Sequence, residues 1–307
     1  MLLGVRERTD LSDGKQDYDY YTYYVNINPE GEVKYKKAYD IFLRGQNEYW
    51  KVRSQKSSVT ELFDKIEAFP VRLENEMDKQ DNINRYSFKD FDMDIRLNYA
   101  DMNYISFSYT TPLFDNTITQ YGVLGTNELE DNKLITIEEF TGEEDAFEQF
   151  ENMVINEATS KDSKIDPNDL IIENTNFGLV RDNGAWSIQT SIYTKESQKT
   201  ASSQIPVRNY IEENVSSDLF VSRDQVRNIK PQEKDYKLIP NSNYLIIQTA
   251  DEILFHKIND GKIDKNPFFS IPTPNPTTFI SFDQQIGTNA KSLEQAFENS
   301  NTVIGGN

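Results

Sequence analysis

The side chains in this chain that can do chemistry are mostly carboxylates and phenols. Asp and Glu together number 51 against 32 Lys and Arg, tyrosine occurs 17 times, histidine once and cysteine not at all. The missing thiol removes disulfides, thiolate metal sites and cysteine nucleophiles together. His256, the only histidine, excludes a multi-histidine metal site. In Glu252 to Ile258 it shares a face with Leu254 and Ile258, which predicts a neutral, hydrogen-bonded residue in a sheet rather than a general base. Carboxylate chemistry survives this elimination, since paired Asp and Glu can hydrolyse glycosides without Cys or His. Pairing depends on a separation in space, so no catalytic residue is assigned from the chain.

Two acidic stretches invite a metal and fail. Asp162 to Glu173 has the length of a calcium loop, but Lys164 stands at position three and Pro167 at position six, where an oxygen ligand and a sharp-turning glycine belong. Glu143, Glu144, Asp145, Glu148 and Glu151 read as a solvated helix face. With 13 glycines and no glycine-rich phosphate loop, neither a metal nor a cofactor is expected.

The densest chemistry lies in QDYDYYTYYVNI, Gln16 to Ile27, with five tyrosines inside seven positions. Strand geometry sends Tyr18, Tyr20, Thr22 and Tyr24 to one side and Tyr21, Tyr23, Val25 and Ile27 to the other. The second set runs on into apolar residues and is assigned to the core. The first carries Thr22, so Tyr18, Tyr20 and Tyr24 are the candidate ligand-binding row, suited to stacking on a sugar ring or receiving a partner strand. Ordinary packing competes with this, because cross-strand aromatic pairs stabilise sheets by roughly 0.2 to 1 kcal/mol.

The elements that must hold these residues follow from period and punctuation. Phe91 to Tyr99 alternates apolar and polar residues without a break, and Tyr104 to Tyr109 repeats the pattern, predicting an antiparallel hairpin. Further strands are expected at Ile118 to Leu124 and Lys133 to Phe140. Asn28-Pro29-Glu30-Gly31, Asn183-Gly184 and Asp260-Gly261 are turn signals between strands. Helices are expected from Ser58-Val59-Thr60-Glu61, with Leu62, Phe63, Ile66 and Phe69 inward and Pro70 as the stop, and from Thr141-Gly142-Glu143-Glu144, with Phe147, Phe150, Met153 and Val154 inward. Others are expected near Pro206, with Tyr210 and Ile211 inward, at Ser222 to Gln225, and after Thr288, with Leu293, Ala296 and Phe297. Asn266 to Thr278, carrying Pro267, Pro272, Pro274 and Pro276, is expected to run extended over the surface.

These elements define an α+β chain of mainly antiparallel sheets with a few packed helices. The repeated order of a helix before a meander suggests two domains, 1–140 and 141–307, with the boundary between 141 and 167. A net charge of −19 argues against nucleic acid, and the short basic clusters Lys34 to Lys37 and Lys51 to Lys56 read as sheet edges. Met1 to Val5 is too short for a signal or a membrane span, so a soluble chain is expected, with room for an anchor upstream. The functional expectation is a non-catalytic binding or interaction protein of a bacterial cell envelope, extracellular or at the cell surface, with a protein or carbohydrate partner. A carboxylate-dependent carbohydrate hydrolase and a structural subunit of an assembly are the alternatives.

Overall fold

The computed structural model describes residues 1–307 except 11–15, 29–30, 46–47, 56–63, 77–83, 88–93, 114–115, 132, 162, 183, 195–200, 207–220, 301–302 and 307. It is an α+β protein of antiparallel sheets with four short α-helices among the described residues.

The chain opens as a meander of β1 (Leu2–Asp10), β2 (Gln16–Ile27) and β3 (Val33–Tyr39). Gly31, at φ 86°, supplies the left-handed residue of the turn before β3, and the Asn28 side chain accepts from the Glu32 N–H at 2.8 Å. Asp40 then takes φ 69° and swings the chain into β4 (Ile41–Arg44), the first strand of a second sheet. Asp is among the few non-glycine residues that tolerate this conformation. Thr22 fixes the corner, donating to the Asp40 carbonyl and accepting from the Phe42 N–H, each at 2.8 Å.

The second sheet continues through β5 (Tyr49–Gln55), β6 (Lys65–Pro70) and β7 (Asn84–Ser87). The helix expected from Ser58 is corrected here: Ile66 and Phe69 lie in β6, while Ser58 to Phe63 lie outside the described residues. The segment also satisfies a period of two, with Ile66 and Ala68 turned to the core and Phe69 on the other face. On the opposite face buried Glu67 accepts from Arg53 on one side and Arg85 on the other. Two cross-strand guanidinium partners for one buried carboxylate exist only in the sheet, and that tertiary pairing overrides the helical spacing.

A third sheet, β8 (Asp94–Ala100), β9 (Tyr104–Leu113) and β10 (Asn116–Gly125), is the expected hairpin and its neighbour. Lys133 to Phe140 is not a strand. Thr136 and Glu139 form a capping box for α1 (Ile137–Thr141), and Gly142, at φ 74°, ends that helix. The box therefore stands five residues before the one read at Thr141, whose glycine terminates a helix rather than opening one. Then α2 (Ala146–Lys161) buries Ala146, Phe150, Val154 and Ala158, leaving Met153 exposed.

Strands β11 (Leu170–Ile171), β12 (Gly178–Asp182), β13 (Ala185–Thr194) and β14 (Ala201–Pro206) form the sheet beneath α2, with Gly184 at φ 87° in the β12–β13 turn. Asp166 caps the Pro167–Asp169 turn through the Asn168 N–H, so an oxygen of the rejected calcium loop serves the backbone instead. The helix expected near Pro206, with Tyr210 and Ile211, falls outside the described residues. Ser222 and Gln225 cap α3 (Arg223–Ile229) as expected.

A last sheet is built from β15 (Asp235–Leu238), β16 (Tyr244–Gln248), β17 (Glu252–Asn259), β18 (Lys262–Ile263) and β19 (Phe269–Pro272). Asp260 and Gly261, at φ 49° and 73°, make the β17–β18 turn. The proline-rich stretch departs from its expectation, since β19 pairs along β17 with Pro272 at its end, an edge position that leaves proline's missing N–H harmless. The chain then returns: β20 (Thr277–Asp283) pairs with β1, α4 (Thr288–Glu298) packs Leu293 and Phe297 inward, and β21 (Val303–Gly306) pairs with β3. The first sheet thus has the order β20-β1-β2-β3-β21, with β2 at its centre.

Candidate functional site

The central position of β2 decides the tyrosines. One face of its sheet packs Leu3, Tyr21, Tyr23 and Val25 against Ile246 and Phe255 of the last sheet. The other face is covered as well. Tyr20 joins Ile41, Leu97 and Ile105, and its hydroxyl accepts from the Leu97 N–H at 3.0 Å. Tyr24 packs on Phe297 of α4, with ring centroids 5.6 Å apart. Tyr20 and Tyr24 are 6% and 3% exposed, so the partly exposed aromatic row expected of Tyr18, Tyr20 and Tyr24 does not form. The physical reason is cover supplied from elsewhere in the chain: α4 lies over Tyr24, and the second and third sheets cover Tyr20, on a face that the alternation alone leaves open. Of the three, Tyr18 stays partly exposed, its ring 5.4 Å from the Arg6 guanidinium and 5.0 Å from that of Arg96. Its hydroxyl donates to Gln16 at 2.6 Å.

A different surface collects chemistry. The tips of the β4–β5 and β8–β9 hairpins and the segment after β10 meet at one end of the second and third sheets. Asp101 organises the β8–β9 tip with both carboxylate oxygens: one accepts from the Asn103 and Tyr104 N–H groups at 2.8 and 2.7 Å, the other from the Tyr99 hydroxyl at 2.7 Å. Thr126 ties the next segment to that tip, its N–H donating to the Asn103 carbonyl at 2.9 Å and its hydroxyl to the Asp101 carbonyl at 3.0 Å. At the other tip the Gly45 N–H donates to the Glu48 carbonyl at 2.8 Å. A Cβ on Gly45 would stand 2.7 Å from that carbonyl oxygen and 2.7 Å from Cδ1 of Trp50. Glycine is therefore what lets the indole come this close to the turn.

The result is a trough of two depressions that share exposed Asn127. One, of about 290 Å³, has Leu43, Trp50 and Met102 as apolar wall and Glu48, Thr126 and Asn127 as polar edge. The other, of about 400 Å³, is bounded by Asn103, Tyr104, Glu128, Asp131, Lys133 and Glu139. Its charges are largely engaged. Lys133 donates to Glu139, which holds the Glu139 carboxyl below the usual range and the Lys133 ammonium above its own. Burial, and then Asp101 and Glu128, push the Tyr104 phenol up. Glu48 is held by Arg72 at 2.7 Å.

Other reactive groups stand away from the trough. Among the described residues the carboxyl groups with raised pKa are Asp40, pushed to about 6 by burial against the opposing pull of Lys51 and Arg53, and Asp235, raised by burial although Arg181 sits 2.7 Å away. Neither lines either depression. No group of three or more His, Cys, Asp or Glu suited to a metal occurs among the described residues. His256 is fully buried on β17, its Nδ1 2.8 Å from the Asp264 carbonyl. No helix among the described residues is long and apolar enough to cross a membrane.

The trough residues were not singled out by sequence reasoning. Gly45, Asp101-Met102-Asn103 and Thr126-Asn127 each follow a strand, the last after Gly125 at the end of β10, and carry turn chemistry, and that was the available signal. Their meeting depends on which sheet stacks on which, and no local spacing encodes it.

This geometry defines an antiparallel α+β protein with a preformed, aromatic-walled trough at a turn cluster. Comparison with family models, curated proteins and solved structures finds no match, so the residues themselves carry the functional argument.

Proposed function

We propose a non-catalytic binding protein whose contact surface is the Trp50–Asn127 trough and whose partner there is a carbohydrate. The observation that carries this reading is an indole beside amide, hydroxyl and carboxylate oxygens on a backbone held by hydrogen bonds before any ligand arrives. A sugar ring offers an apolar C–H face to the indole and hydroxyls to the polar edge, and a preordered site loses little entropy on binding. The raised carboxyl groups standing elsewhere support binding over glycoside cleavage, which needs a general acid beside the bond.

Placement at a bacterial cell envelope, extracellular and attached through a segment outside this chain, is part of the proposal. It rests on the acidic, cysteine-free composition and on Asn, Asp, Lys and Ile usage typical of an AT-rich genome. The finer division into two domains, 1–140 and 141–307, belongs to the same reading, with β20 and β21 of the second part crossing back to pair in the sheet begun by β1.

The chain has two tryptophans, and Trp186 is 7% exposed, so a ligand-induced change in indole emission reports on Trp50. Titration with neutral oligosaccharides should quench or shift emission, and Asn127→Ala should weaken the response at least tenfold with thermal stability kept. A flat response across the panel overturns the carbohydrate reading. Release of new reducing ends would instead establish the hydrolase, and a scattering mass above the monomer that falls on dilution the assembly subunit.

A further inference from the structure

His256 carries a chemical asymmetry that the trough does not use. It is fully buried, between Leu254 and Ile258 on the face of β17 that Val226 of α3 covers. The Asp264 carbonyl can only accept, so Nδ1 carries the hydrogen and Nε2 is left as a lone-pair acceptor. That Nε2 is buried with no hydrogen-bond partner among the described residues. A proton arriving there would create an imidazolium whose new N–H is buried with no acceptor among the described residues, an arrangement that low-dielectric surroundings penalise heavily.

The covering element is the part of this region least able to stand alone. Helix α3 has seven residues, about two turns, too short to persist without tertiary contacts. It is held by Val226, by the Ser222–Gln225 capping box and by a clasp in which Arg223 and Arg227 both donate to Glu233 Oε1, at 3.1 and 2.9 Å. The strands beneath are firmly tied, with all of β16 paired to Ile253–Lys257 of β17.

We propose that α3 is a proton-operated flap: protonation of His256 releases Arg223–Ile229 from the β16–β17 hairpin while the sheets stay closed. The charged groups that bear on the ring are Lys230 at the end of α3, Glu252 on β17 and Asp264 after β18, and Tyr236 of β15 packs in the cluster of Val226, Leu254 and Ile258. Arg223, Asp224 and Arg227 lie on α3 with Glu233 just beyond, while Lys257 is turned to the other face of β17, over the Phe268 ring. Neighbouring β16 and β19 bring no acid or base to this face. Lys230 opposes a positive ring and Asp264 and Glu252 favour it, but burial outweighs all of these and keeps the ring neutral. Because the folded ring holds its proton less tightly than the ordinary value of 6.5, the unfolded chain binds more protons below that pH. The stabilisation from the neutral ring is complete above about pH 6.5 and is lost as pH falls towards the folded value.

The test uses amide hydrogen exchange on the full chain at pH 7.5 and pH 5.0, corrected for intrinsic rates. Exchange over residues 221–231 should accelerate at least tenfold at pH 5.0, with β1, β2 and β16 unchanged. His256→Asn, which keeps a donor near the Asp264 carbonyl but cannot charge, should abolish the acceleration. Should that variant not fold, the single histidine resonance of the unmodified chain gives its titration directly, and a midpoint below 6.5 coinciding with the opening of α3 is expected. Equal acceleration in His256→Asn, loss spread evenly over all sheets, or a midpoint at or above 6.5 would each overturn the flap.

Discussion

The central strand β2 and the trough around Asn127 make opposite use of aromatic residues. In β2 five tyrosines are adjacent in sequence and are divided by the sheet between two separately covered faces. At the trough, Trp50, Met102 and Asn127 are far apart in sequence and are brought to one surface by hairpin tips. Density in sequence thus marks packing here, and convergence in space builds the surface proposed for contact. Alternation along a strand tells which residues share a face, whereas the element that covers the face arrives from elsewhere in the chain.

The largest effects should therefore come from β2 and its cover. Tyr24→Ala and Phe297→Ala each remove a ring from the cluster of Leu2, Phe42 and Leu293, and each should cost about 3–5 kcal/mol in denaturant unfolding. A cost below about 1 kcal/mol for Tyr24→Ala would restore that ring to the exposed row. Tyr20→Phe isolates a single atom. It leaves the ring in place and deprives the buried Leu97 N–H of its acceptor, so a loss of about 1–3 kcal/mol is expected. The same change at Tyr18, whose ring is partly exposed and whose hydroxyl donates to Gln16, should fall well below this.

An intermediate effect tests the corner by which the chain leaves the first sheet. Burial raises Asp40 from 3.8 to about 6, so over that interval the folded chain binds more protons than the unfolded one. The contribution is full below about pH 4 and is lost as pH rises through about 6. Asp40→Asn retains a residue that accepts φ 69° and carries no charge, and should gain about 1–2 kcal/mol at pH 7 with little change at pH 4. Unfolding curves at the two pH values decide it, and an equal effect at both would mean that the Asp40 charge is not under strain.

Several elements were legible because their signals are local. The Asp260-Gly261 turn, the Ser222–Gln225 cap and the Leu293–Phe297 face need only a few adjacent residues, and each stands as read. The misreadings share a cause. Ile66 and Phe69 fit a helical period while Ile66 and Ala68 fit a strand period, and the choice lay with Arg53 and Arg85 on neighbouring strands. Gly142 can open or close a helix, and Thr136 with Glu139 had already provided the start. Lys133 to Phe140 carries β-prone residues, yet the capping box outcompetes them. The trough was the least legible feature, since its walls come from segments around positions 45, 102 and 127 that only sheet stacking brings together.

The smallest stability effects should belong to the trough, and there the comparison becomes sharpest. Asn127 is exposed, and Glu48 forms a surface pair with Arg72, so Asn127→Ala and Glu48→Gln should each change unfolding free energy by less than about 0.5 kcal/mol. Gly45→Ala is the informative partner to these, because the added methyl meets the Glu48 carbonyl and the indole at once. It should displace Trp50 and shift its emission in the absence of any ligand, while Asn127→Ala leaves that emission unaltered. A trough that binds through a preset indole must lose ligand in Gly45→Ala with Asn127 intact. If binding survives that displacement, the indole is a bystander and the polar edge alone holds the partner.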